Sequence, residues 1–448
     1  MNEDKTKFLG TEKINKLLLK MSTPAIIGMM VSSLYNLVDT IFVGRGIGSL
    51  GIAGISIVFP IQMIVMALAL TVGIGGASII SRALGSKEIN KAEVATGNIF
   101  TLAGITGLLS FFVTFFFTDN LLKMFGANAE ILPYAHDYTK IIALGTFFFS
   151  LALAGSNVIR AEGNAKVAML IMVSSTIINI VLDPIFIFTF DWGMKGAAWA
   201  TTISEFFAFA YVFVFFISKK GVTKIHLHNL KLKFNVVKEI FTVGSATLIR
   251  QASAGILTIV LNKSLNFYGG SMAIATFGVI NRLAMFTMMP VFGVLQGMQP
   301  IVGYNYGAKL FDRVRQTVLS SIKATTIMST LAFLFLVLFA NSIISLFSTE
   351  KEFVDMTAKT TRIVMLFLPA LGFQAVVGGL YQAIGKAKPA IILSMMRQIF
   401  FLIPLVLILP IFWNLNGIWL AFPLSDSLAI VITYFFYRHE MRLLKNPT

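Results

Sequence analysis

Of the 448 residues in the chain, 56% are hydrophobic and 12% are charged, about half the roughly 25% charge usage of soluble domains. Such a composition excludes water as the main solvent. There is no cysteine and the net charge is +16, so a disulfide framework and a thiolate metal site are excluded, and the meaning of the positive charge has to be read from where it falls.

Twelve apolar stretches of about 20 residues, each long enough to cross a hydrocarbon core, run near 22–43, 52–80, 94–118, 134–158, 166–190, 196–218, 236–266, 272–303, 316–347, 357–384, 388–411 and 416–437. The twenty residues before them, Met1 to Lys20, are polar and lysine-rich. They lack an apolar stretch followed by a small-residue cleavage site, so no removable signal is expected and span 1 should itself direct insertion. Span 1 puts Ser32, Tyr35, Asn36 and Asp39 on one helical face. Span 5 carries Ser175, Thr176, Asn179 and Asp183 at spacings of three and four, followed at once by Pro184. A proline there cannot donate to the carbonyl of Ile180. Span 6 adds Ala197, Thr201 and Glu205 at steps of four. In the second half the intramembrane charges are Arg250, Lys263, Arg282 and Arg397, with Asp426 in span 12.

The cations obey the positive-inside rule. Lys5, Lys7, Lys13, Lys16 and Lys20 precede span 1; Arg82, Lys87 and Lys91 separate spans 2 and 3; Arg160 and Lys166 separate spans 4 and 5. Lys219, Lys220, Lys224, Lys231, Lys233 and Lys238 fall between spans 6 and 7, and Arg438, Arg442 and Lys445 end the chain. All lie on one side when both termini are cytoplasmic, while the opposite loops carry fewer, with Lys351, Lys359 and Arg362 a partial exception. Loop retention and attraction to anionic lipid account for these residues, so no nucleic-acid partner is expected. The expected location is the cytoplasmic membrane of a prokaryote, crossed many times.

An internal repeat organises the chain. Gly48, Ser49, Ile52, Ala53, Gly75, Gly85 and Lys87 return as Gly270, Ser271, Ile274, Ala275, Gly297, Gly307 and Lys309, each 222 positions on. Ala161, Gly163, Ala165, Lys166 and Ala168 return at the same separation as Ala383, Gly385, Ala387, Lys388 and Ala390, and Gly196, Ala200, Ser204 and Glu205 meet Gly417, Ala421, Ser425 and Asp426 at 221. Each half holds six spans, so the two share an orientation. The predicted fold is an all-α integral membrane protein of twelve transmembrane helices in two six-helix lobes, related by a pseudo-twofold axis along the membrane normal and meeting at a central cleft. The predicted boundaries are 1–218 for the N-lobe, 219–235 for a basic cytoplasmic linker and 236–448 for the C-lobe.

A carboxylate at the centre of a spanning helix costs roughly 2.5–3.5 kcal/mol on insertion scales and reads as functional. Asp39 and Asp183 are the leading candidates, and the repeat supplies a control. Asp39 meets Leu261, Asn179 meets Phe401, Asp183 meets Leu405 and Thr201 meets Phe422, so the second half kept the scaffold and lost the oxygen ligands. Oxygen groups suit a hard cation, and a buried carboxyl can instead hold a proton; Na+ and H+ are both open. Glu205 and Asp426 stand at matching positions, so a structural role and a proton relay are both open for them, with Arg250, Arg282 and Arg397 as available partners.

Pro24 opening span 1, the run Tyr35-Asn36-Leu37-Val38-Asp39-Thr40, the Gly85 loop, Asn157 to Gly163, Asn179 to Pro184 and Gly196 to Thr201 together resemble the multidrug and toxic compound extrusion (MATE) family over essentially the whole chain. The resemblance implies export of organic cations or drugs in exchange for sodium or protons, without a cofactor, by a protein expected to act as a monomer. It is similar to the branch with its ion site in the N-lobe. There Asp39, Asn179, Asp183, Thr201 and the main-chain carbonyl of Ala197 would hold the ion, Na+ at the first four among the possibilities. Tyr35, Asn36, Asn157, Met172 and Thr176 would face the substrate, and Pro24 would let span 1 bend. The rival reading is a lipid-linked oligosaccharide flippase of related architecture, which Arg250, Arg282 and Arg397 could serve by clamping a diphosphate. An enzyme is not expected: no HExxH, GxSxG or GxxxxGK[ST] occurs, and His136, His226, His228 and His439 lie at or beyond span ends.

Overall fold

The computed structural model describes residues 6–446, apart from the side chains of Asn36 and Leu37; Lys5 of the basic N-terminal run lies outside the described residues. Among the described residues the chain is helical almost throughout, with no strand. In hydrocarbon every backbone polar group must be satisfied within its own segment, and apolar runs of this length do so as helices. The first half contains α1 (Ile14–Gly46), α2 (Ser49–Gly85), α3 (Ile89–Phe116), α4 (Leu132–Ala161), α5 (Ala165–Pro184, continued by a π-helical turn Ile185–Thr189) and α6 (Gly193–Ile217). The run Phe234–Gly307 breaks at Gly270 into α7 (234–269) and α8 (271–307). Next come α9 (Phe311–Leu338) and α10 (Lys351–Val364 and Leu368–Ala383, bent by 47°). In α11, Ala387–Met395 is followed by a π-helical turn Met396–Leu402 and residues 403–412; a break at Trp413 and Asn414 separates it from α12 (415–445). The twelve expected spans are all present. Their ends differ from the apolar stretches, most clearly in α1, which starts at Ile14 rather than near 22, because a helix runs on through polar residues once it has left the lipid.

The repeat is written into the backbone. Gly48 and Gly270 have φ of 92° and 62°, Lys87 and Lys309 of 63° and 58°, and Gly163 and Gly385 of 91° and 79°. Gly193 and Asn414, 221 apart, have φ of 50° and 48°. A lysine in the left-handed region costs roughly 1–2 kcal/mol. Its occurrence at equivalent helix ends is therefore a shared feature of two copies.

The chain divides into two compact units. Unit 1 comprises residues up to Thr11 and Ile27–Leu248; unit 2 comprises Glu12–Ile26 and everything from Ile249 onward. The first turns of α7 thus belong with the first half of the sequence, and those of α1 with the second. A glycine explains each attachment. In unit 1 a Cβ on Gly75 would collide with the Ile240 carbonyl of α7, and in unit 2 a Cβ on Gly297 would lie 2.7 Å from the Ser22 nitrogen of α1. These glycines are a repeat pair, kept because backbone meets backbone there. Unit 1 has a core built on Val43, Val58, Ile61, Ile142, Ile187 and Met194. Unit 2 has one built on Leu261, Ile280, Leu402, Ile418 and Trp419.

The segment between α6 and α7 is fastened to unit 1. The Glu162 carboxylate accepts from Val222 N–H (3.0 Å), Thr223 N–H (2.8 Å) and the Thr223 hydroxyl. Asn98 donates to the carbonyls of Asn229 (3.1 Å) and Lys231 (3.2 Å) and accepts from Lys233 N–H (2.8 Å). Glu162→Ala strands two buried amides, each worth about 1–3 kcal/mol. The expected result is faster trypsin cleavage at Lys219, Lys220 and Lys224 with the membrane helices intact, read by timed digestion of purified protein.

Candidate functional site

Five helices of unit 1 bring oxygen atoms to one place. In α5, Pro184 interrupts the regular ladder and the chain continues as a π-helical turn closed by Phe190 N–H on the Ile185 carbonyl (2.9 Å). Asp183 stands immediately before this irregularity and is 0% exposed; Asn179, one turn earlier, is 1% exposed. From α1 comes Asp39, 7% exposed. Its carboxyl and that of Asp183 are within hydrogen-bonding reach of each other. With the Asn179 amide oriented to satisfy both neighbours, its nitrogen donates to Asp183 Oδ2 (2.9 Å) and its oxygen accepts from Thr201 N–H (3.1 Å). The Thr201 hydroxyl of α6 lies 3.1 Å from the Ala197 carbonyl. The Tyr35 and Tyr138 hydroxyls also reach Thr201, and Gln62 reaches Tyr138.

One oxygen of each aspartate, Oδ1 of Asp39 and Oδ1 of Asp183, is buried without a hydrogen-bond donor. Two carboxylates this close repel unless a proton or a cation lies between them. The donor set is therefore deficient in positive charge and rich in hard oxygen, which fits Na+ or H+ equally. The twin positions in unit 2 show the contrast in space: Leu261, Leu405 and Phe422 lie together in that unit's hydrophobic core. Where unit 1 gathers oxygens, unit 2 packs hydrocarbon.

The remaining predicted residues are placed less uniformly. Thr176 is buried on α5 one turn before Asn179. Met172 touches α1 at Gly28, its sulfur 3.5 Å from where a Cβ would stand. Asn157 is not part of the oxygen cluster: on α4 it lies 19 residues beyond Tyr138, about 28 Å along the axis. It accepts there from Arg160 (3.3 Å) and donates to the Leu153 carbonyl (2.8 Å). The Asn36 side chain lies outside the described residues. Pro24 stands inside α1, in the stretch assigned to unit 2. Two contributors, Tyr138 and Gln62, went unnoticed in the sequence. Both sit in apolar runs, 63 and 139 residues from Thr201, with nothing in their own helices to link them to it.

Asp426 receives a correction. Among the arginines available to it, Arg250 is not the partner; Arg397, at the start of the α11 π-helical turn, is the residue hydrogen-bonded to its carboxylate. The wider turn carries Arg397 to α12, a contact that regular helical spacing does not foretell. Arg282 and Lys263 are exposed on their helices. In the second turn of α4, His136 Nδ1 is 2.6 Å from Asp119 Oδ1 of the segment that follows α3, and this hydrogen bond holds the Asp119 carboxyl below the usual carboxylate range.

Comparison with known proteins identifies the family. The MatE family profile matches twice, over residues 24–185 and 246–408, two segments whose starts are 222 apart. The chain is 28% identical over 440 residues to the multidrug export protein MepA of Staphylococcus aureus strain MSSA476, covering 97% of this chain and 96% of that protein. A solved MOP superfamily transporter from Pyrococcus furiosus superposes with a TM-score of 0.93 at 27% identity, covering 98% of this chain and 99% of that one. An outward-facing conformation of a multidrug resistance MATE family transporter does so with the same TM-score, identity and coverage. With its helices, its repeat and two family matches in register with that repeat, this chain belongs to the MatE family and is a multi-pass membrane transporter, not an enzyme.

Proposed function

We propose that the protein exports drugs, organic cations foremost, in exchange for Na+ or H+ entering through the Asp39–Asp183 cluster. The observation that supports this reading best is the gathering of Asp39, Asp183, Asn179, Thr201, Tyr35 and Tyr138 in unit 1, set against leucine and phenylalanine at the twin positions of unit 2. A pure scaffold has no reason to maintain unpaired carboxyl oxygens in one copy and hydrocarbon in the other, because each buried polar atom without a partner is costly. The names of the staphylococcal relatives point to drugs as the exported class.

Tyr35 links the two ligands in this mechanism. Its hydroxyl reaches Thr201 in the ion cluster, and its ring, with Met172 and Thr176, borders the substrate on this reading. An ion arriving between Asp39 and Asp183 pulls α1 toward α5, with Pro24 absorbing the bend, and so weakens drug binding; by linkage, bound drug weakens ion binding equally. Alternating exposure of the site to the two sides of the membrane turns this competition into antiport. Each positive charge carried inward contributes about 2.3 kcal/mol per 100 mV, an adequate drive without ATP. Both termini face the cytoplasm, and a single copy suffices. The test is efflux of a fluorescent cationic dye from proteoliposomes under a sodium or a pH gradient imposed one at a time. One gradient should accelerate efflux several-fold; equal rates under both gradients and under neither would rule the reading out.

A further inference from the structure

Unit 1 holds another carboxyl without a counter-charge, and the repeat shows what is missing. On α6, Glu205 points at α4, where Gly145 leaves room for it: a Cβ on Gly145 would strike Glu205 Oε2. That oxygen is buried and has no hydrogen-bond partner. The Thr202 hydroxyl, which faces the same spot on Gly145, donates to the Ile141 carbonyl (3.2 Å). In unit 2 the equivalent acid is Asp426, 1% exposed where Glu205 is half-buried, but Arg397 occupies its carboxylate. Arg397 corresponds at 222 positions to Ser175, and the contact geometry bears the correspondence out. Ser175 donates to the Ser204 carbonyl next to Glu205 (2.9 Å), as Arg397 reaches Asp426. The same architectural slot thus holds an acid with its cation in one copy and an acid alone in the other.

The charged groups on the helices around Glu205 are engaged elsewhere. On α4, Lys140 donates to the Phe115 carbonyl (2.7 Å), Arg160 to Asn157 (3.3 Å), and His136 and Asp137 meet Asp119 and Lys195. On α5, Asp183 lies eight residues from Ser175, about 12 Å along the axis, and Lys166 opens the helix at its far end. On α6, Lys195 pairs with Asp137 (3.6 Å). The oxygen cluster meets α4 at Tyr138, two turns from Gly145, so Glu205 is a separate place. An ionised carboxylate with no partner in apolar surroundings is costly, and such a group takes up a proton instead.

We propose that Glu205 is a second proton-carrying site of this transporter, distinct from the Asp39–Asp183 cluster. Bringing a cation or water to it, or moving α6 against α4, releases that proton. Its use in transport rests on the exporter reading above; the occupancy of the site does not.

The experiment is potentiometric proton uptake by purified, detergent-solubilised full-length protein between about pH 9 and pH 5, a window in which an ordinary solvated glutamate stays largely ionised. Glu205→Gln should take up about one proton less than wild type across this window; Glu205→Asp should recover it. Uptake by Glu205→Gln equal to wild type overturns the inference, because an ionised structural glutamate would not register there. Where Glu205→Gln fails to fold, Ser175→Arg decides. Installing the twin's guanidinium should remove the same proton while leaving the acid in place, and unchanged uptake overturns the proposal. Asp183→Asn, assayed in parallel for gradient-driven dye efflux, tests the cluster separately: full efflux by that variant defeats the exporter mechanism without altering the Glu205 result.

Discussion

Asp183→Asn should reduce ion-driven efflux about 100-fold while leaving a folded protein. The substitution keeps the shape of a side chain that is 0% exposed and removes the charge that a cation or proton needs. Hydrogen bonds to charged groups contribute about 1.5–3 kcal/mol each, and the Asp183 carboxylate receives the Asn179 amide at 2.9 Å while facing Asp39. Losing this group from an ion site converts to roughly 10- to 150-fold in affinity. Asp39→Asn should behave alike. The double variant should be no worse than either single one, because on the proposed mechanism both residues serve one binding event and their effects do not add. Stability should change little, since an amide fits among Asn179, Thr201 and the tyrosines. The measurement is dye efflux from proteoliposomes beside thermal unfolding of the same preparations; wild-type rates in both variants would remove the cluster from the mechanism.

The second large effect lies in unit 2 and concerns stability. Asp426 is 1% exposed and held by Arg397. Arg397→Met leaves a buried carboxylate uncompensated, an error that costs about 3–5 kcal/mol. For a unit of this size that corresponds to a fall in Tm of roughly 10 °C. Arg397→Met combined with Asp426→Leu should recover most of the loss, because a buried ion pair replaced by well-packed hydrocarbon is often neutral. The neighbourhood suits that repair: Leu402, Val406, Phe422 and Ala421 are already core residues of this unit. Denaturation in detergent reads the outcome. A double variant as unstable as the single one would mean that Arg397 stabilises α11 by some route other than this pair. Transport by the double variant should stay close to wild type, since the proposed ion cluster belongs to unit 1.

The contrast between these two predictions follows from duplication. Both halves descend through the same helices, glycines and left-handed helix ends, yet buried charge is handled differently in each. Unit 2 pairs its acid with arginine and fills the remaining twin positions with leucine and phenylalanine. Unit 1 keeps carboxyl oxygens of Asp39, Asp183 and Glu205 without donors. In a medium that penalises every unmet polar atom, such groups persist where they are met in turn by something that comes and goes.

How much of this was legible in the amino-acid order follows from range. Hydrophobic length, charge placement and the separation of 222 determine twelve helices in two copies, because burial in lipid and helical hydrogen bonding act within a segment and leave their mark on every stretch of about 20 residues. Helical spacing also put Asn179 and Asp183 on one face of α5, and the replacement of oxygens by hydrocarbon at the twin positions could be read directly. Which side chains from different helices meet is settled by packing between helices. That Tyr138 and Gln62 join Thr201, that Asn157 stays apart, and that Arg397 rather than Arg250 takes Asp426 depend on crossing points, on a π-helical turn that changes the register of one helix, and on glycines such as Gly75, Gly145 and Gly297 that let a neighbour approach. None of these leaves a periodic trace in the residues concerned, so they became visible only with the helices in place.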